Sequence, residues 1–173
     1  FITLSEEVLK DLRQSTNNAA SLAPHPLYDT FGAAVSKAEA CVKLGLDPAK
    51  KYILFFGFIR KYKGLDLLLE AMNEQSIKEK DIHLIIAGEF YESSTPYDEL
   101  INKHQLQDAV HQFTSFIPNS EVQYYFSAAD LIVQPYRNAT QSGITQVAYH
   151  FEKPMIVTNV GGLAEVVPDG KTG

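Results

Sequence analysis

This sequence predicts an α/β fold built on a doubly wound parallel sheet, on three observations. Short apolar runs at 52–56, 82–87, 110–116, 131–133 and 155–157 alternate with helix-length segments from residue 51 onward. That alternation marks strands buried on both faces and joined by crossover helices. Polar, cationic or glycine-rich loops follow several of these runs, at the strand ends where such sheets bind ligands. The composition, 45% apolar and 21% charged, fits a globular chain of 173 residues with room for a sizeable core.

The elements justify themselves in order. Phe1 to Leu4 reads as a strand end, and Ser5 as the N-cap of a helix with Glu6 and Glu7 in its first turn and Val8, Leu9 and Leu12 inward. Periodicity is lost from Gln14 to Ala34, where Ser, Asn, Pro and Gly collect, so residues 1–35 read as a helix plus a linker and residues 36–173 as the main domain. His25, between two prolines, reads as a loop residue. Ser36 with Glu39 forms a capping box and Gly45 a C-cap for a helix at 36 to 44 that places Cys41 in its apolar stripe. Tyr52 to Phe56 is a buried strand ending at Gly57, and Leu65, Leu68, Leu69 and Met72 form the inner face of the next helix. Ile82 to Ala87 stops at Gly88, and Thr95-Pro96 starts another helix with Thr95 as N-cap. Val110 to Phe116 alternates as a strand, and Asn119 caps a helix with Val122, Tyr125, Phe126 and Ala129 inward.

The stretch from Asp130 to Val167 reads as strand, polar loop, helix, strand and glycine turn. Its helix opens at Ser142-Gly143 and shows two stripes: Ile144, Val147, Ala148 and Phe151 toward the sheet, and Ser142, Thr145, Gln146 and Tyr149 away from it. Free N–H groups at a helix N-terminus favour an anion. Gln141-Ser142-Gly143-Ile144 is therefore either a phosphate cradle or an ordinary polar loop with a serine cap. Arg60, Lys61 and Lys63 crowd the loop after the first long strand, either as a surface charge cluster or as a clamp for a diphosphate.

Several function classes are disfavoured. A net charge of −6 and a pI near 5.3 argue against a nucleic-acid partner. The single cysteine forms no internal disulfide, and His83, His104 and His111 show no ligand spacing, so no metal site is expected. No run reaches the ~20 apolar residues of a membrane span, and the first residues lack a signal-peptide layout. Neither a G-x-G-x-x-G after the first strand nor a Walker lysine motif is present. Phe1 and the closing Gly170-Lys171-Thr172-Gly173 read as cut ends of a longer chain.

Four segments together resemble a family. Leu54 to Leu68, with its Lys63-Gly64 pair, looks like the strand and "KG" loop of the retaining nucleotide-sugar glycosyltransferases of family 4, which have the two-domain GT-B fold. Ala128-Ala129-Asp130-Leu131-Ile132-Val133-Gln134-Pro135, Glu152-Lys153-Pro154-Met155-Ile156-Val157 and Val160-Gly161-Gly162-Leu163-Ala164-Glu165-Val166-Val167 are similar to three further motifs, in the family's order. The likeness covers roughly residues 50 to 173. It implies a Rossmann-like C-terminal domain that binds a nucleotide-diphosphate sugar, facing an acceptor-binding N-terminal domain outside this sequence. It implies transfer with retention, without a metal or any cofactor beyond the donor. Lys63 matches the family's diphosphate-binding lysine, while Phe58 stands where the family usually has an arginine and Arg60 is a displaced substitute. Ala139 and Val147 stand where the family has two glutamates, with Thr140, Gln141 and Gln146 as the adjacent polar candidates.

The expected catalytic pair is Arg60 and Lys63. The expected donor-binding set is Gly57, Thr140, Gln141, Ser142, Gly143, Ile144, Gln146, Gly161, Gly162 and Glu165, with Glu165 either facing the cleft or capping a neighbouring helix. Tyr136 and Arg137 read as solvated loop residues. The resemblance further implies a glycan or lipid-linked acceptor, a bacterial envelope polysaccharide pathway, and a cytoplasmic site at the inner membrane face. The isolated piece is expected to bind nucleotide but turn over little. A non-catalytic relative and a sugar-nucleotide epimerase are the alternatives.

Overall fold

The structure, a computed structural model, describes residues 1–173. Five parallel strands form the main sheet: β3 (Lys51–Phe56), β4 (Ile82–Ala87), β5 (Val110–Phe113), β6 (Leu131–Gln134) and β7 (Met155–Val157), in the order β5-β4-β3-β6-β7. Ahead of it stand β1 (Ile2–Thr3), α1 (Glu6–Ser15), β2 (Ser21–Leu22) and α2 (Lys37–Leu44). Between the strands lie α3 (Leu65–Met72), α4 (Gln75–Lys78), α5 (Thr95–Lys103), α6 (Asn119–Ala128) and α7 (Gly143–His150), with α8 (Leu163–Val166) last.

Strand alternation divides the core into two layers. Tyr52, Leu54, Ile85, Ala87 and Ile132 meet α2, α6 and α7 on one face. Phe55, Leu84, Ile86 and Val133 meet α3 and α5 on the other. The strand order reverses at β3, which pairs with β4 on one side and with β6 on the other. The loop leaving β3 runs to the α3 face and the loop leaving β6 runs to the α7 face, so a crevice opens between them beyond the strand ends. The doubly wound parallel sheet expected from the sequence is therefore present.

Polar contacts fix how the elements dock. Asp130 Oδ2 accepts from the Tyr52 amide at 2.8 Å and from Lys37 Nζ at 2.6 Å, tying the starts of β3, β6 and α2 together. Gln134 Nε2 donates to Thr145 Oγ1 at 3.1 Å, which seats α7 on β6.

The structure revises several expectations. β5 ends at Phe113 rather than Phe116, because Phe113 pairs with Ala87, the last residue of β4, and Gly88 (φ +133°) then turns the partner away. Thr95 and Asn119 are first helical residues rather than caps, and neither helix has a side-chain cap bond. The stretch 14–34 contains β2, which pairs parallel with β1. Ser142 and Thr145 are buried, not turned outward, because α7 contacts both the sheet and the neighbouring loop. His83 and His111, far apart in sequence, stack with Nδ1 and Nε2 at 3.1 Å.

Candidate functional site

Lys63 lies at the centre of the crevice. It closes a single 3₁₀ turn, Lys61–Lys63, and Gly64 (φ +70°) ends that turn with its Cα against Pro135, where a Cβ would meet the carbonyl oxygen at 2.0 Å. This forced approach points the Lys63 side chain inward, leaving it 9% exposed. Its ammonium lies 5.6 Å from the centre of the Tyr136 ring, and it makes no hydrogen bond or ion pair. Burial, and next the charge of Arg60, lower its pKa to about 8. It is a cation held ready in a low-dielectric site without a counter-ion.

The amides of α7 converge on the same corner. A Cβ placed on Gly57 (φ +94°) would lie 3.1 Å from Lys63 Nζ and 3.3 Å from Ile144 Cδ1, so the end of β3, the cationic turn and the first turn of α7 meet there. Ser142 caps α7 by accepting from the Ile144 amide at 3.3 Å. Tyr136 Oη lies 3.3 Å from Ser142 Oγ, and burial pushes the tyrosine's pKa up to about 12, so it stays a neutral hydroxyl. The Ser142 and Gly143 amides donate to no protein acceptor. A buried ammonium, a helix N-terminus and two free N–H groups make a donor-rich pocket, suited to phosphate oxygens.

The other predicted residues are placed as follows. Arg60 lies over Tyr91 at 4.0 Å, close enough to Lys63 to depress its pKa but unpaired with any carboxylate. Gln141 belongs to the cradle loop, and its Oε1 is buried without a partner. Thr140 is exposed and its carbonyl accepts from the Gly162 amide at 3.2 Å, while Gln146 is half-buried on α7. Gly161 and Gly162 let the next turn pack directly on the loop: a Cβ on Gly161 would lie 1.5 Å from Ala139 O, and one on Gly162 would lie 2.3 Å from Thr140 O.

For Glu165 the capping alternative holds and the donor-binding one does not: its two oxygens accept from the Glu6 and Glu7 amides, each at 2.9 Å, so it caps α1. Of the two residues read as solvated, Tyr136 is corrected, being buried as the floor beneath Lys63, while Arg137 stays exposed and forms a bidentate pair with Asp66 at 2.6 and 2.8 Å. Ala139 packs with Tyr136 and Leu163, and Val147 lies in the main core, so neither position presents a polar group.

Sequence reasoning missed two contributions. Tyr28, ahead of α2, lies over the cradle: a Cβ on Gly143 would come within 3.1 Å of its ring, and its hydroxyl meets His25 Nδ1 at 2.9 Å. Phe58, Phe116 and Ile117, with Phe56, Gly57 and Gly88, line a groove of about 140 Å³ beside Lys63. Phe58 and Phe116 are 55% and 71% exposed, unusual for phenylalanine away from a binding surface.

Comparison with known proteins gives a consistent pattern. The family model described as Glycosyl transferases group 1 matches residues 36–173. A D-inositol 3-phosphate glycosyltransferase of Corynebacterium aurimucosum is 30% identical over 176 residues, covering 98% of this chain and 42% of that protein. Among solved structures, WaaG, a glycosyltransferase involved in lipopolysaccharide biosynthesis, superposes with a TM-score of 0.81 at 20% identity, over 97% of this chain and 46% of that one. Anabaena Alr3699/HepE in complex with UDP-glucose also gives 0.81, at 16% identity, over 98% and 47%. The chain spans less than half the length of each of these proteins.

Proposed function

The chain belongs to the group 1 glycosyl transferases, and from that premise we propose that it is the donor-binding part of an enzyme that moves a sugar from a nucleoside diphosphate to an acceptor. The observation that carries this reading is Lys63, a buried ammonium with no counter-ion, meeting at Gly57 the helix turn that carries the free amides of Ser142 and Gly143. As the bond from the anomeric carbon to the phosphate oxygen breaks, the electron pair leaves with the diphosphate and negative charge grows on it. Preorganised donors aimed at that charge stabilise the transition state. Lys63 is protonated at neutral pH, and Arg60 adds field from the rim. These groups supply the positive charge that a divalent cation supplies elsewhere, so transfer proceeds without a metal. The nucleoside lies along the Phe58–Phe116 groove, where its base meets aromatic faces. Because HepE was solved with UDP-glucose, uridine nucleotides are the first to try.

The acceptor, a glycan or lipid-linked glycan of a bacterial envelope polysaccharide pathway, is held by a further N-terminal domain, with retention at the anomeric carbon and action at the inner membrane face. The 173-residue piece by itself binds donor and transfers little. A thermal-shift screen with UDP, GDP and ADP tests the binding: one of them raises the melting temperature of the wild-type chain. In the full-length protein, Lys63→Ala abolishes transfer and EDTA leaves it unchanged. Undiminished transfer by the Lys63→Ala variant would remove Lys63 from the mechanism. The burial of Ala139 and Val147 favours a second reading, a nucleotide-binding relative without transferase activity. In that case the shift is retained and the full-length chain makes no glycoside from any donor that binds.

A further inference from the structure

We infer that Glu7, on the N-terminal helix, accepts hydrogen bonds from the hydroxyls of the transferred sugar; this rests on the donor-site reading above. A diphosphate is recognised by donors, which Lys63 and the α7 amides supply. A sugar ring is recognised largely by acceptors, and a carboxylate is the strongest acceptor a protein offers to a hydroxyl. The loop and helix turn from Tyr136 to Gln146 contain no carboxylate. Of the acidic residues on the neighbouring segments, Asp66 is paired with Arg137, Glu165 is bound to two amides, and Glu89 lines the aromatic groove instead.

Glu7 reaches this loop from outside it. A Cβ placed on Gly161 would lie 3.4 Å from Glu7 Oε2 and 2.7 Å from the carbonyl carbon of Ala139. Since Gly161 has no side chain, the Glu7 carboxylate and the Ala139 carbonyl both come close to its Cα. Glu7 makes no ion pair and its oxygens accept no hydrogen bond, yet its backbone is fixed. Glu165 holds the amides of Glu6 and Glu7, and Ser5 packs on Gly162, where a Cβ would lie 2.8 Å from the serine's own. A free carboxylate on a clamped helix turn is a positioned acceptor. Gln141 Oε1, buried in the same loop without a partner, is a second acceptor awaiting a hydroxyl proton.

The charges also orient the ligand. A phosphate beside Glu7 would meet like charge, whereas beside Lys63 it meets an unneutralised cation. The diphosphate therefore lies toward Lys63 and the neutral, hydroxyl-rich sugar toward α1.

Calorimetric titration of the chain with UDP, GDP and ADP, and with UDP-glucose, GDP-mannose and ADP-glucose, tests this. For whichever base binds, Glu7→Gln weakens the nucleotide sugar about tenfold and leaves the matching free diphosphate within about twofold, at an unchanged melting temperature. Equal affinities in variant and wild type, or an equal loss for both ligands, would overturn the assignment of Glu7 while leaving the donor site intact. Failure of the wild-type chain to bind any of the six would overturn the donor-site reading and this inference with it.

Discussion

At the scale of single residues, Lys63 combines a cost in stability with a use in binding. Its ammonium is most of the way out of water with nothing to neutralise it, which is why its pKa falls to about 8. In the ligand-free protein the folded state then holds fewer protons at this group than the unfolded chain between pH 8 and the ordinary lysine value of 10.5. The penalty for the buried charge is complete below pH 8 and fades as pH rises toward 10.5. Lys63→Met removes it, so at pH 7 the variant melts higher than wild type, by at most a few kcal/mol of unfolding free energy. The gap in melting temperature closes as pH is raised to 10. The same variant loses its response to nucleoside diphosphate. Wild-type affinity, read by calorimetry, falls above pH 8, approaching tenfold per pH unit once the free lysine is neutral. Lys63 could be found from sequence because cations after a buried strand are uncommon. Tyr136 could not, because nothing in Pro135-Tyr136-Arg137 says that the tyrosine turns under the neighbouring loop while the arginine turns to Asp66.

At the scale of elements, α7 carries the cradle, and its seat on the sheet is polar. Thr145 is fully buried, and its hydroxyl satisfies the Gln134 amide at the end of β6. Thr145→Val keeps the shape and leaves that amide without its partner, so stability falls by about 1–3 kcal/mol in chemical denaturation. Donor affinity falls with it, because the first turn of α7 loses its register against Gly57. The helix and its N-cap were legible from Ser142-Gly143 and the apolar spacing, and so were the strands flanking it. The inward turn of Thr145 was not, because a 3.6-residue period identifies one apolar stripe and assigns the remaining residues to solvent by default. Here a loop packed from the other side makes a second buried face.

At the scale of the whole molecule, the sheet was legible because five buried strands separated by helices leave little choice but a parallel, doubly wound arrangement. The two faces of its core follow from strand alternation, as in the Tyr52-Ile53-Leu54-Phe55-Phe56 run. The docking of residues 1–22 was legible only as far as Glu165 capping a neighbouring helix, since which helix it caps depends on Gly161 and Gly162 letting the two backbones approach. Those contacts hold an otherwise exposed segment: Phe1 and Ile2 are 64% and 75% exposed. Glu165→Ala therefore loosens the segment without unfolding the sheet. Limited trypsin digestion cuts it faster after Lys10 and Arg13 than in wild type, while the core fragment from α2 onward persists. Equal cutting rates in the two proteins would show that α1 is held by its apolar face alone.

The Glu165 cap has a consequence for synthesis on the ribosome. The amide it satisfies at Glu6 lies 159 residues earlier in the chain, so the first turn of α1 keeps open N–H groups on the ribosome until Glu165 has emerged. The sheet's inner strands can pair before then. The first turn of α1 consequently sets after those strands, and Glu7 takes its place beside the loop only once Glu165 is in position.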